Sequence, residues 1–209
     1  MKFRKSIATI IAALALTSSF TIGSSNIQAA KKKKANVVNT ELAQDSQGPW
    51  VYPFAKLAKN GVNPMYNAQI FGKTDYARSL KPLSYFHDGW DFGWGEVGRS
   101  TVKAVHEGTV EKVAYGNGLG WFVWVISPDN YVQIYQEGFN KKKDISVKPG
   151  QTVKAGQKIG KLTGSHLHLG ITKTNKNYIN KNGYPCNNWY VDNGTWLNPI
   201  KVIQSNLNK

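Results

Sequence analysis

The chain contains four histidines, His87, His106, His166 and His168, and three of them fall in two short clusters. The first cluster reads Phe86-His87-Asp88-Gly89-Trp90-Asp91-Phe92-Gly93 and the second Ser165-His166-Leu167-His168-Leu169-Gly170-Ile171. On a strand, residues two apart share a face, with Cα atoms roughly 6–7 Å apart. His166 and His168 can therefore converge on one small volume while Leu167 and Leu169 pack the other way. One imidazole of the pair can bind a metal while the other stands beside an attacking water. His87 and Asp91 would be about 13 Å apart on a straight strand, too far to share one ion lying about 2 Å from each donor. Gly89 disfavours a helix, so the expectation is a bend at Asp88-Gly89. Two imidazoles and one carboxylate suit zinc, and three protein ligands leave the fourth position open for water. Taken singly, each motif has a plainer reading: His-x-x-x-Asp is usually surface chemistry, and His-x-His is often structural. His106 has no partner motif and is expected to be an ordinary surface residue.

The elements that must position these groups read as short strands. Val102 to Val105 and Thr109 to Val113 flank a Glu107-Gly108 turn, and Trp121 to Ile126 is a solid apolar run of the kind buried on both faces. Tyr131 to Tyr135 alternates after an Asp129-Asn130 turn. From Val147 to Gly160, Gly150 and Gly156 punctuate short strands whose apolar points are Val147, Val153 and Ile159, as in tight glycine-turned hairpins. No long amphipathic helix is expected in the domain. The fold class is mainly β, with antiparallel sheets in a compact sandwich or half-barrel that carries a groove.

At 209 residues the chain is long enough for one domain with a real core. Lys2, Arg4 and Lys5, the apolar run from Ile7 to Leu16 and the small residues around Ala29 read as a signal peptide over residues 1–29. An uncleaved anchor is the weaker reading, because the apolar run is short and broken by Thr17, Ser18 and Ser19. Residues 30–48 read as a flexible basic and polar leader, with a propeptide that covers the site as the alternative. The domain is expected over 49–203 and a tail over 204–209. Cys186 is the only cysteine, which excludes an internal disulfide and a Cys–His zinc finger by count. Loss of Lys2, Arg4 and Lys5 with the signal peptide lowers the formal charge from +15 to +12. That balance favours anionic partners; for an exported chain these are anionic wall polymers rather than nucleic acid. The chain is expected to be secreted, wall-associated, monomeric and without a membrane span after cleavage.

The order of the motifs, His-x-x-x-Asp, then Val-Lys-x-Gly-x-x-Val-x-x-Gly-x-x-Ile-Gly, then His-x-His, resembles the lysostaphin and LytM type of zinc endopeptidases. The match runs from about His87 to Ile171, extending upstream to Pro53 and downstream to Leu197-Asn198-Pro199. The resemblance implies one zinc ion on His87, Asp91 and His168, with His166 as a catalytic histidine. It implies peptide bonds of peptidoglycan cross-bridges or stem peptides as substrate. The alternative is a weak or inactive member that binds walls or regulates other hydrolases. The Val147 to Gly160 pattern also resembles lipoyl and biotinyl carriers, but the modifiable lysine context they need is missing.

Two features depart from the family pattern. The loop before His-x-His is shortened to Leu162-Thr163-Gly164. The family usually carries Tyr-x-His where this chain reads Tyr135-Gln136-Glu137. An ionised glutamate repels a developing oxyanion, so three readings stand: Glu137 is a general base with His166 stabilising charge, a protonated donor, or a group that points elsewhere. The first is favoured because the ligand set is complete. Tyr85, Trp189, Tyr190 and Trp196 are aromatic neighbours of the expected groove.

Overall fold

A computed structural model describes residues 48–207. The expected signal peptide and all of the leader except Gly48 lie outside these residues, as do Asn208 and Lys209 of the expected tail.

Seven strands, labelled here in chain order, form the sheet that carries the site: β1 (Gly89–Gly93), β2 (Gly108–Gly116), β3 (Gly120–Ile126), β4 (Tyr131–Phe139), β5 (Thr152–Val153), β6 (His166–Lys173) and β7 (Trp196–Leu197). Their spatial order is β5-β2-β3-β4-β6-β7, with β1 also paired to β6, and every pairing is antiparallel. The sheet curls into a half-barrel. The three α-helices among the described residues, Ala55–Asn60, Trp94–Val97 and Pro199–Asn206, are short. None is long and apolar enough to cross a membrane. The last helix runs across residue 203, and Asn198 caps it by accepting from the amides of Ile200 and Lys201.

The apolar run Trp121 to Ile126 explains why the sheet is buried on both faces. Val123 and Val125 point into the larger core with Tyr135, Leu167 and Leu169. Phe122 and Trp124 point into a second cluster with Ile134, Tyr178 and Trp196. Alternation at period two thus feeds two cores from one strand.

The short strands of the hairpin region pair differently from the sequence expectation. Thr101–Lys103 pairs with Lys158–Lys161, not with Thr109 to Val113 across the Glu107-Gly108 turn, and β5 pairs with the start of β2. Gly150 and Gly156 do turn the chain, at φ 81° and 79°, but the strands they separate bond to more distant partners. Local turn chemistry cannot reveal that choice.

His106 also departs from expectation. It is fully buried, stacked on Trp50 at 4.4 Å between ring centroids, with its Nε2 at 3.2 Å from Asp129 Oδ1. Trp50 lies flat on the ring and Tyr131 meets it edge-on, so the residue is packing rather than surface.

Candidate metal centre and its groove

β6 presents the site. Its period places His166 and His168 on one face and buries Leu167 and Leu169 in the core. Asp91 on β1 is the direct cross-strand partner of His168. Directly opposed residues have Cβ atoms about 4.5–5.5 Å apart, close enough for imidazole and carboxylate to meet. His87 arrives from a separate two-residue strand, Phe86–His87, paired to Gly72–Lys73. The chain breaks at Asp88 between that strand and β1, so His87 swings onto the face that carries Asp91. The bend expected at Asp88-Gly89 is therefore real, and it solves the 13 Å problem of a straight strand.

Three donor atoms close a small triangle. His168 Nδ1 lies 3.0 Å from Asp91 Oδ1, His87 Nε2 lies 3.2 Å from the same oxygen, and the two nitrogens are 3.1 Å apart. Ligands about 2.0–2.1 Å from a tetrahedral zinc ion stand about 3.3–3.4 Å from one another. The triangle is thus within a few tenths of an ångström of what such an ion needs. The outer contacts fix the donors in the correct form. His87 Nδ1 donates to the Ile70 carbonyl at 2.7 Å, which leaves its Nε2 lone pair facing the triangle. His168 Nε2 faces Asp88 Oδ1 at 3.6 Å, so a carboxylate backs the imidazole from behind. Gln69 Nε2 donates to the Asp91 backbone carbonyl at 3.0 Å, and the Arg78 guanidinium lies 3.4 Å from Asp91 Oδ2. All three donor residues are buried.

The electrostatics follow from this crowding. Burial favours the neutral form of Asp91, but the hydrogen bonds from His168 and His87 outweigh it and hold the carboxyl well below the usual range. Burial favours neutral His168, but its hydrogen bond to Asp91 and the Asp88 charge win and push it up to about 9. Two buried carboxylates, two imidazoles and one guanidinium converge on this small volume.

Gly89 has no room for a side chain. A Cβ there would run into the His168 ring and come within 2.6 Å of the Leu169 carbonyl oxygen. Gly89→Ala is expected to lower stability by about 1–3 kcal/mol, the usual range for overpacking. It should also displace His168. Thermal unfolding and a metal titration on the variant check both.

Glu137 reaches the site through an unusual backbone. In the β4–β6 register Gln136 faces His168, so a regular strand would set Glu137 opposite core-facing Leu167. Glu137 instead has φ 65°, in the left-handed region. That conformation costs a residue with a Cβ on the order of 1–2 kcal/mol, and it turns the side chain back toward the site. There Glu137 Oε2 accepts from His166 Nε2 at 2.7 Å, and that nitrogen is 3.8 Å from Asp91 Oδ1. Ser165 Oγ lies 2.9 Å from His166 Nδ1. Burial opposes charge on both partners, but their mutual hydrogen bond together with the neighbouring His168 and Asp91 charges outweighs it. Glu137 is held below, and His166 above, its ordinary value. Glu137 thus stands at the site, in contact with His166.

The groove runs past the triangle in two arms that meet at Arg78. One is lined by His87, Asp88, Asn117, Gln136, Glu137 and Trp189, the other by Tyr66, Gln69, Tyr76, Asp91, Trp94 and His166. Trp196 is buried in the second core and donates to the Asn187 carbonyl at 3.1 Å, so it packs rather than lines. Tyr190 meets Trp189 edge-on, and its carbonyl accepts from Ser84 Oγ. Tyr85 is half exposed, and its carbonyl accepts from Thr74. Gln69, Arg78 and the Ile70 carbonyl carry no sequence motif. Asp88, named in the sequence only for the expected bend, is an outer contact as well.

The peptidase family M23 model matches residues 85–181, a span that includes His87, Asp91, Glu137, His166 and His168. The structure of cbpa from L. salivarius REN is 36% identical, covering 76% of this chain and 97% of that one, with a TM-score of 0.63. The catalytic domain of lysostaphin from Staphylococcus simulans is 20% identical over 65% of this chain and 89% of that one, at a TM-score of 0.43. A mutant of the catalytic domain of the prophage-encoded M23 protein EnpA from Enterococcus faecalis is 26% identical over 65% and 93%, at a TM-score of 0.37. This chain belongs to peptidase family M23.

Proposed function

We propose that the protein is a secreted zinc endopeptidase that hydrolyses peptide bonds in the cross-bridges or stem peptides of bacterial peptidoglycan. The observation that carries this reading is the donor triangle of His87, Asp91 and His168, with sides of 3.0–3.2 Å and a backing contact behind each imidazole. These three residues would hold the ion. A zinc ion bound there would supply Lewis acidity toward a carbonyl and a lowered pKa for bound water.

The chain's own residues do the rest. Glu137 Oε2, held ionised, is the acceptor for the proton of the attacking water. His166, whose Nε2 donates to Glu137 in this structure, turns that N–H from the carboxylate to negative charge as it develops on the scissile carbonyl oxygen. The same imidazole can pass a proton to the departing amine. The Ile70 carbonyl keeps the His87 ring in the tautomer that faces the triangle, and Asp88 stands 3.6 Å behind His168 Nε2. Digesting purified peptidoglycan with and without a chelator, then weighing the muropeptides by mass spectrometry, tests the reading. The expected result is a set of new peptide ends that disappears with the chelator and identifies the bond. Fragments unchanged by the protein would sink it.

A second reading has one observation in its favour: Glu137 already occupies His166 Nε2, the nitrogen nearest Asp91. In that reading the domain binds walls or regulates other hydrolases without cutting. Wall binding that persists in His168→Ala, alongside no cleavage by the native chain, favours it.

A further inference from the structure

The arm of the groove beside Asp91 and His166 is walled by large apolar side chains left in water. Met65, Tyr66, Tyr76 and Trp94 are 60%, 68%, 64% and 54% exposed, and all four line this one cleft. Apolar surface gathered in this way, rather than scattered, marks a place where something binds. The wall is braced to the reaction centre. Gln69 Oε1 accepts from the Met65 amide at 2.7 Å and the Tyr66 amide at 3.0 Å, while its Nε2 donates to the Asp91 carbonyl. The Trp94 amide donates to the Ser165 carbonyl at 3.0 Å, next to His166, and the Arg99 guanidinium covers the Trp94 ring 5.7 Å from its centroid. The backbone that carries Tyr66 and Trp94 is thus tied to the backbone of the site.

The other arm is mixed, with Asp88, Asn117, Gln136 and Glu137 beside Phe86, Leu119 and Trp189. A substrate chain lying over the donor triangle therefore meets a mostly apolar, aromatic wall on one side of the cut and a mixed wall on the other. Small peptide residues offer such a wall little to stack on. A pyranose ring offers a flat C–H face for aromatic contact and a rim of hydroxyl and acetamido groups for hydrogen bonds. The phenol groups of Tyr66 and Tyr76 and the hydroxyl of Ser165 belong to the same cleft. Rings with an apolar body and a polar tip suit such a ligand.

We propose that this arm is a saccharide subsite, taking an N-acetylated hexose of the glycan to which the cleaved peptide is attached. The inference rests on the peptidoglycan reading and sharpens it. The favoured bond then lies close to the sugar, and a bare peptide is a poorer substrate than the same peptide still carrying its disaccharide.

The test has two arms, both on zinc-loaded protein. In the first, a tetramer of β-1,4-linked N-acetylglucosamine, which has no peptide to cut, is titrated and binding is followed by NMR. Native protein should bind it. Trp94→Ala and Tyr66→Ala should weaken binding at least tenfold, about 1.4 kcal/mol, and Trp94→Phe should keep most of it. Trp189→Ala, in the other arm, should leave it unchanged. In the second, an equimolar mixture of a disaccharide-peptide and the same peptide stripped of sugar is digested and followed by mass spectrometry. The sugar-bearing form should be consumed faster, and Trp94→Ala should erase that preference without changing zinc content. Absence of binding, or binding and preference indifferent to Trp94 and Tyr66, overturns the proposal. Binding without any cleavage leaves the subsite standing and overturns the peptidase reading instead.

Discussion

His168→Ala is expected to strip the protein of its metal and reduce cleavage to the level of chelated native protein. His168 is the hinge of the centre. Its Nδ1 is 3.0 Å from Asp91 Oδ1 and 3.1 Å from His87 Nε2, so it contributes to two sides of the triangle. Its Nε2 is the group that faces Asp88. Truncation removes a ligand and leaves the buried Asp88 side chain without the imidazole that faces it. Losing an outer contact of a metal site typically costs 10–100-fold in affinity, and a ligand costs more. Metal content after gel filtration, measured by plasma mass spectrometry, should fall from about one zinc per chain, the occupancy of a three-ligand catalytic site, to background. Retained zinc would move the site elsewhere. Because the ring sits in a fully packed position, circular dichroism on the same sample separates loss of metal from loss of fold.

Glu137→Gln carries the second large effect. The exchange keeps shape and removes charge. The carboxylate that accepts from His166 Nε2 at 2.7 Å becomes an amide, and the pull that holds His166 above its ordinary pKa is lost. General-base contributions are typically 10²–10⁴-fold, and a kcat loss in that range is expected with zinc content unchanged. Undiminished turnover would rule out a base role and return His166 to acting alone. The left-handed backbone at Glu137 gives a further reason to look here. Strain of this kind persists where surrounding structure over-determines it, and it gathers at working sites.

Much of the site was legible because strand periodicity is a strict rule. His166 and His168 had to share a face once the segment was a strand, and Leu167 and Leu169 had to oppose them. The break between His87 and Asp91 was likewise forced, since no straight strand brings them to one ion. What could not be read was pairing. That Asp91 sits across from His168, that Thr101–Lys103 bonds to Lys158–Lys161, and that Glu137 would fall opposite Leu167 but for its φ are matters of register. Register depends on contacts between segments far apart in sequence. His106 shows the same limit from another side. Its burial under Trp50 comes from a residue 56 positions away, which no local pattern announces. The aromatic wall was invisible for a similar reason, because Met65, Tyr66, Tyr76 and Trp94 form no motif and meet only in the folded groove.

The central claim is that His87, Asp91 and His168 hold a zinc ion used to cut wall peptides. The most direct test follows the release of new amino groups from purified peptidoglycan by chelated protein as zinc is added back. The account predicts no release from the chelated chain, recovery that saturates at about one zinc per chain as a single three-ligand site requires, and no recovery in His168→Ala. Release that continues undiminished in the chelator, or that returns equally in His168→Ala, would contradict it.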